Sequence, residues 1–174
     1  MQKVFKPILA ALLLGMVLVS CGPGEFDEPA VDGTSAYSPV LMKRSELEQS
    51  VKMDAARTLK DPGKIYTYGN YIFISERFEG VHVVDNTDPS NPVNIAFVVI
   101  PGCVDMAVKN NVMYVDNAVD LVSLSIENVT DIKVLSRNAN VFPELPPPDM
   151  NIVPEAYTSS NRPENTIIIG WKKS

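Results

Sequence analysis

The chain has 174 residues, of which 45% are hydrophobic and 21% are charged, and its formal net charge at pH 7 is −6. This length fits one ordinary domain, and the acidic balance argues against nucleic acid as a partner because phosphate binding needs a basic face. The single histidine excludes a zinc site built on a histidine pair and leaves one candidate general base of that type.

The first twenty residues have the layout of an export signal. Lys3 and Lys6 form a positively charged start, and an apolar run follows over residues 8–19. That run is too short for a mature transmembrane helix, which needs about 20 apolar residues. We therefore predict a signal peptide over residues 1–20. Its removal takes away two lysines and no acids, so the net charge moves from −6 to about −8.

The residues around the predicted cleavage site, LVSCG at 18–22, resemble a bacterial lipobox. This resemblance implies that the Cys21 thiol carries lipid such as palmitate and becomes the new N-terminus. Two or three acyl chains hold a protein firmly on a membrane, so the implied location is the cell envelope, at the outer membrane, facing the periplasm or exposed at the surface. The alternative is an ordinary secretory signal with an incidental cysteine.

Residues 21–44 are predicted to form a flexible acidic tether. The segment 22–40 holds three Pro, three Gly and four acids and shows no apolar period. Its acidic start, residues 25–28, resembles the stretch that marks surface-exposed lipoproteins of the Bacteroidetes. A solvated linker that is merely acidic explains the composition equally well.

A short helix and a connector are predicted over residues 45–62. Ser45 and Glu48 have the spacing of a capping box, in which each side chain satisfies a free amide at the helix start. Leu47 and Val51 lie four apart and would share one face. We expect about two turns, ended before Pro62, that pack on a sheet.

Two similar segments follow, at 64–100 and 105–135, with a period of about 40 residues. Each segment reads as four short strands separated by turn residues. One alignment with a single deletion relates them, and it pairs Ile65 with Met106, Phe73 with Tyr114, Val81 with Leu121, Val84 with Leu124 and Asp88 with Asn128. Gly69-Asn70, which the alignment places on Asn110-Asn111, is a predicted two-residue reversal that tolerates positive φ at both positions.

The polar corner NTDPSNP at 86–92 is predicted to be turn chemistry. Asp and Asn side chains accept hydrogen bonds from their own backbone in such corners. Proline has no backbone N–H and therefore cannot donate to a strand ladder. The competing interpretation is a cation site at Asp85 and Asp88. These two acids lack the regular spacing of a calcium loop, and the alignment places Ser125 and Asn128 on them.

A four-stranded unit that repeats about every 40 residues is typical of a propeller blade. The segments GNYIFIS, GVHVVDNTDPSNPVNIAFVVIPG and, more weakly, NNVMYVDNAVDLVSLSIENVTDIKVL resemble the LVIVD repeat. The second unit departs from it, because residues 129–131 replace a D-P-x-x-P corner. With the lipobox, PGKIY and NVFP, the chain resembles Bacteroidetes LVIVD-repeat lipoproteins of unknown function, a group that implies location and fold but no activity.

The predicted fold is therefore all-β, with two four-stranded antiparallel propeller-like blades over residues 63–142 and a short N-terminal helix. A Pro-rich irregular segment at 143–165 and a terminal strand at 166–174 complete the chain. Because propellers close with four to eight blades, two units leave sheet edges unpaired. Three explanations stay open: a truncated propeller, self-association or a partner that completes a ring, and a small open sandwich.

Few residues form a catalytic pattern. No G-x-S-x-G elbow and no phosphate loop occur in the sequence, so no cofactor or metal is assigned. Four charged residues near the first hairpin loop are expected to form a solvated rim: Glu76, Arg77, Glu79 and Asp85. Tyr66, Tyr68, Tyr71 and Phe73 favour packing over a sugar-stacking platform. Cys103 favours a core position over a reactive thiol.

Trp171, expected to be exposed near the chain end, is the one aromatic residue chosen as a candidate contact. The sequence favours a non-catalytic, lipid-anchored envelope module with a binding or scaffold role toward a protein or glycan. The alternative is one part of a longer propeller enzyme whose active site lies outside this chain.

Overall fold

A computed structural model describes residues 34–174, so the predicted signal peptide, Cys21 and the start of the tether lie outside the described residues. The strands in this range are β1 (Tyr37–Lys43), β2 (Lys52–Asp54), β3 (Pro62–Tyr68), β4 (Tyr71–Glu76), β5 (Gly80–Asp85), β6 (Val93–Val99), β7 (Met106–Lys109), β8 (Val112–Asn117), β9 (Asp120–Ser125), β10 (Lys133–Asn138) and β11 (Thr166–Lys173). They form three open antiparallel sheets, and the all-β prediction is confirmed.

The two large sheets share one strand order. The first sheet runs β2-β6-β5-β4-β3 and the second runs β10-β9-β8-β7, so consecutive strands are neighbours in each. The register shifts once between β5 and β6 at Ile95, and once between β9 and β10 at Leu135. The alignment of the two segments places these two residues on each other. β2, which pairs with β6, makes the first sheet five-stranded rather than four-stranded.

Both large sheets contribute to one apolar cluster, which forms the core. The first sheet supplies Phe73, Val81, Val83, Ala96 and Val98, and the second supplies Met106, Val108, Met113, Val115, Val122 and Leu124. Side chains alternate between the two faces of a strand, so His82, between two core valines, lies on the outer face of the first sheet. The sequence alignment pairs Phe73 in the core with Tyr114, which is exposed on the second sheet.

Part of the predicted tether is wrong, because residues 37–43 form strand β1. This strand pairs with β11 at the other end of the described chain to make a two-stranded sheet. The Asp149 carboxylate accepts hydrogen bonds from the Ser35 hydroxyl (2.7 Å) and the Ala36 amide (2.8 Å) just before β1. Partners so distant in sequence leave no local pattern, and this is why composition suggested a flexible segment.

The predicted two-turn helix is a single turn, α1 (Arg44–Leu47). Glu46, rather than the predicted Ser45 and Glu48 pair, accepts a hydrogen bond from the amide before the helix, that of Lys43 (3.3 Å). Arg44 instead places its guanidinium on the buried Asp120 carboxylate, at 2.8 Å to each oxygen. These charge-assisted bonds hold α1 against the second sheet.

Asp120 also accepts a hydrogen bond from the Arg137 guanidinium at 2.6 Å. Burial raises the pKa of Asp120, but hydrogen bonds from Arg44, the Asn140 amide and Arg137 outweigh it and hold this pKa below its ordinary value. The carboxylate is therefore a charged anchor between α1 and β10.

Turn chemistry accounts for the polar corners, as predicted. Asp85 and Asp88 each accept a hydrogen bond from the backbone amide two residues on, at 2.8 and 3.0 Å, and Asn128 does the same at 3.1 Å. The two reversals differ from each other. Asn110 and Asn111 both have positive φ, whereas in the first unit Gly69 does and Asn70 does not.

We expect Gly80→Ala to cost at least about 3 kcal/mol of unfolding free energy. Gly80 has a φ of +146°, and a Cβ there would lie 2.0 Å from the Val98 carbonyl oxygen. Gly69→Ala is the matched control, since Gly69 has a φ of +57° and open space around it, and it should cost only about 1 kcal/mol. Urea unfolding measures both variants, and equal costs would contradict the steric reason.

Candidate functional site: the His82 centre and the Trp171 cleft

Residues 55–61 cross the outer face of the first sheet and are named the strap. They connect β2 at one edge of that sheet to β3 at the opposite edge. The Arg57 guanidinium lies 4.5 Å from the centre of the Phe97 ring, a cation–π contact. The strap therefore shields side chains that would otherwise face solvent, including His82.

His82 is fully buried beneath the strap with both ring nitrogens in hydrogen bonds. Its Nε2 lies 2.9 Å from the Glu76 carboxylate, and its Nδ1 lies 3.3 Å from the Asn94 amide nitrogen. That amide nitrogen also donates to the Arg57 carbonyl at 2.7 Å, which fixes the orientation of the amide. The Asn94 amide nitrogen is therefore the donor to Nδ1, and Nε2 donates to the Glu76 carboxylate.

Glu76 is buried at 3% exposure and accepts hydrogen bonds from three groups. The donors are the amides of Lys60 and Asp61 in the strap and the His82 ring. Burial raises the pKa of Glu76, but these hydrogen bonds outweigh burial and hold its pKa below the ordinary value. The prediction of a solvated rim is wrong for Glu76, although Arg77 and Glu79 are exposed.

The His82 centre fastens the strap and lacks the free nitrogen that a general base needs. A catalytic imidazole must present one nitrogen to a substrate, whereas Glu76 and Asn94 occupy both. In addition, the ring of Phe97 packs edge-to-face on the imidazole at 4.7 Å. Among residues 34–174, no group of three or more His, Cys, Asp or Glu side chains is placed to hold a metal ion.

Trp171 is mostly buried at 8% exposure, so the prediction of an exposed residue is wrong. Its indole N–H donates to the Leu145 carbonyl at 3.0 Å, and its ring packs edge-to-face on Tyr157. Both partners belong to the Pro-rich segment 143–165, which folds back over β11. The sequence carries no periodic signal for that return.

Trp171 lines a cleft of about 620 Å³, which we name the Trp171 cleft. The cleft lies between the β1–β11 sheet, the end of the strap and the turn from β4 to β5. It combines three aromatic rings with five charged side chains: Tyr37, Phe78 and Trp171 with Lys60, Asp61, Glu76, Arg77 and Glu79. Arg77 pairs with Asp61 at 3.2 Å, so the mouth presents both a cation and an anion.

Phe78 is a cleft residue that sequence reasoning missed. It occupies the turn with φ of +63°, a conformation that a bulky side chain rarely adopts. Its amide donates to the Cys103 carbonyl at 2.7 Å and its carbonyl accepts from the Gly102 amide at 2.9 Å. Gly170 leaves room for the ring, since a Cβ there would approach the Phe78 ring to 3.0 Å. No sequence signal identifies this arrangement.

The other candidate residues have structural roles. Phe73 is in the core and Tyr66, Tyr68 and Tyr71 pack against it, which confirms the packing interpretation. Cys103 is fully buried, and burial, with the nearby Asp116 carboxylate, raises the pKa of its thiol well above the ordinary value. Its position in the core is therefore confirmed.

No family model, no curated protein and no solved structure matches the chain. Within residues 34–174, no helix has the length and apolar character that crossing a bilayer requires. The lipidation predicted at Cys21 concerns a residue outside the described range.

We expect Glu76→Gln to cost about 1–3 kcal/mol at pH 7, because buried donors lose a charged acceptor. The pKa of Glu76 is lower in the folded chain, so its contribution is complete above the ordinary glutamate pKa, about 4.3, and is lost as pH falls through the folded-state pKa. Urea unfolding should show the gap between wild type and variant shrinking toward pH 3. A pH-independent gap would contradict the argument, and Glu127→Gln, an exposed site, is the control.

Asn94→Ala should loosen the strap. The variant removes the amide that donates to the Arg57 carbonyl, and losing about 1 kcal/mol of hydrogen bonding corresponds to about fivefold faster tryptic cleavage after Arg57 and Lys60. Mass spectrometry of the fragments measures the rates. Cleavage after Lys133, which is exposed in β10, should not change. Equal acceleration at that site would indicate global destabilisation and contradict a local role.

Proposed function

We propose that the chain is a lipid-anchored module of the cell envelope that binds a protein or a glycan and catalyses no reaction. The observation that carries the non-catalytic part is the His82 centre, in which both ring nitrogens are hydrogen-bonded beneath the strap. The anchor rests on the lipobox at residues 18–22, and the outer membrane on the acidic stretch that follows it.

We further propose that the two large sheets are two propeller-like blades of the LVIVD type. Three features support this: the shared strand order, the matching register shifts at Ile95 and Leu135, and the single core between the sheets. In this proposal β2 is an addition to the outer edge of the first blade. These features favour a repeat scaffold that presents its loops and faces to a ligand.

The Trp171 cleft is the proposed ligand site. Its volume of about 620 Å³ lies within the range of roughly 300–1,000 Å³ typical of ligand pockets. Rigid aromatic rings supply apolar contact at a low entropic cost, and Arg77 with Asp61 supplies a donor and an acceptor at the mouth. Such a combination suits a polar ligand with an apolar face, as glycans and peptides have.

The anchor is tested by radiolabelled palmitate incorporation into the full chain in a bacterial host. Labelling should be present in the wild type and absent in Cys21→Ala, because the thiol is the attachment atom. Cys103→Ala is the matched control and should label normally, since Cys103 lies in the core. Persistent labelling of Cys21→Ala would overturn the anchor.

The binding role is tested by applying the full chain to an array of bacterial glycans and envelope-protein peptides. We expect a ligand whose affinity falls about tenfold in Arg77→Glu, which reverses the charge at the cleft mouth, and is unchanged in Lys133→Glu. An affinity that is unchanged in Arg77→Glu would contradict the Trp171 cleft as the ligand site. Turnover of any bound ligand that disappears in His82→Gln would contradict a non-catalytic role.

A further inference from the structure

A second concave surface, independent of the Trp171 cleft, lies on the outer face of the second sheet. This groove has a volume of about 460 Å³ and is bounded by residues 142–146; we name it the outer groove. Three of its lining side chains are large, apolar and exposed: Val104 at 40%, Tyr114 at 40% and Phe142 at 39%. Clustered exposed apolar side chains mark interaction surfaces more often than scattered ones.

The alignment of the two segments indicates that the outer face of the second sheet is suited to packing. The alignment places three groove residues on three residues of the first sheet: Ala107 on Tyr66, Tyr114 on Phe73 and Leu121 on Val81. In the first sheet those three residues belong to, or pack against, the shared core. The face that the first sheet packs against the second sheet therefore corresponds, in the alignment, to the face that the second sheet exposes.

Only half of that face is apolar, which limits the size of its occupant. Core residues Val83, Ala96 and Val98 of the first sheet align with Ser123, Ser136 and Asn138 of the second. The two serine hydroxyls hydrogen-bond to each other at 2.6 Å. A whole sheet would bury the exposed Ser136 and Asn138 without new partners, at a cost. The apolar half alone matches one extended segment.

The charge of the outer groove indicates which kind of extended segment it would bind. Asp105, Asp116 and Glu144 line it, and none of its lining residues is Lys, Arg or His. Asp105 pairs with Lys64 at 2.8 Å and Glu144 pairs with Arg162. The half-buried Asp116 accepts hydrogen bonds from the backbone amides of residues 104 and 105 and, within residues 34–174, has no cation partner. Asp116 is thus the one acid of the groove that no described cation offsets.

We propose that the outer groove docks an extended segment of a partner protein that carries apolar side chains and one basic side chain, which pairs with Asp116. The apolar side chains cover Val104, Tyr114 and Phe142. Charge disfavours the two occupants that this chain could supply: residues 22–36 hold four acids and no base, and a second copy carries a net charge of −6.

The test titrates the full chain in detergent with fluorescein-labelled hexapeptides and follows anisotropy. The probe is Leu-Ser-Lys-Ser-Leu-Ser, whose two Leu and one Lys share one face of an extended segment, and the matched peptides replace Lys by Glu or both Leu by Ser. We expect the Leu/Lys peptide to bind at least about tenfold more tightly than either. Tyr114→Ser should lower its affinity about tenfold. Ile152→Ser, which removes an apolar side chain that is 70% exposed elsewhere, should leave it unchanged.

Asp116→Asn should narrow the difference between the Lys and Glu peptides, and a thermal melt will verify that this variant folds. If the Ser/Lys peptide binds as tightly as the Leu/Lys peptide, or if Tyr114→Ser leaves the affinity unchanged, the outer groove is not the docking site. Self-association abolished by Tyr114→Ser would instead assign the face to a second copy. A gain in affinity on deleting residues 22–33 would assign it to the tether, and either result would overturn the partner segment. None of these readouts depends on the Trp171 cleft.

Discussion

The two large sheets pack against each other and bury one apolar core between them. In the alignment of the two segments, the face that the first sheet buries corresponds to the face that the second sheet exposes. Burial of the apolar cluster is the largest favourable contribution to folding, and each sheet uses a different face of its strands for it. This arrangement leaves two outer faces, one on each sheet. The rest of the described chain covers the outer face of the first sheet and leaves part of the outer face of the second sheet exposed.

The outer face of the first sheet is covered by a polar network. Glu76, His82 and Asn94 form a chain of hydrogen bonds that ends on the backbone of the strap. A buried imidazole or carboxylate without partners would be costly, so these side chains and the strap stabilise each other. The end of the strap is also a wall of the Trp171 cleft, and the His82 centre thereby helps to shape the proposed ligand site.

The outer face of the second sheet is only partly covered, by residues 142–146. Ser136 and Asn138 on this face are exposed to water, while the groove around Tyr114 combines apolar side chains with acidic ones. A repeat scaffold can in this way present two surfaces of different chemistry, an aromatic cleft with mixed charges and an acidic groove. The proposed binding role and the proposed docking of a partner segment each use one of these surfaces.

The sequence by itself determined the all-β class, the strand pattern of residues 64–135 and the polar corners, because side-chain alternation and turn residues act over a few positions. It could not determine that residues 37–43 pair with β11, that Glu76 is buried or that Trp171 is covered. Each of these depends on a partner far along the chain, such as the strap amides for Glu76 and Leu145 for Trp171. Burial and pairing across such distances are properties of the tertiary structure, since no local period encodes which distant groups will meet.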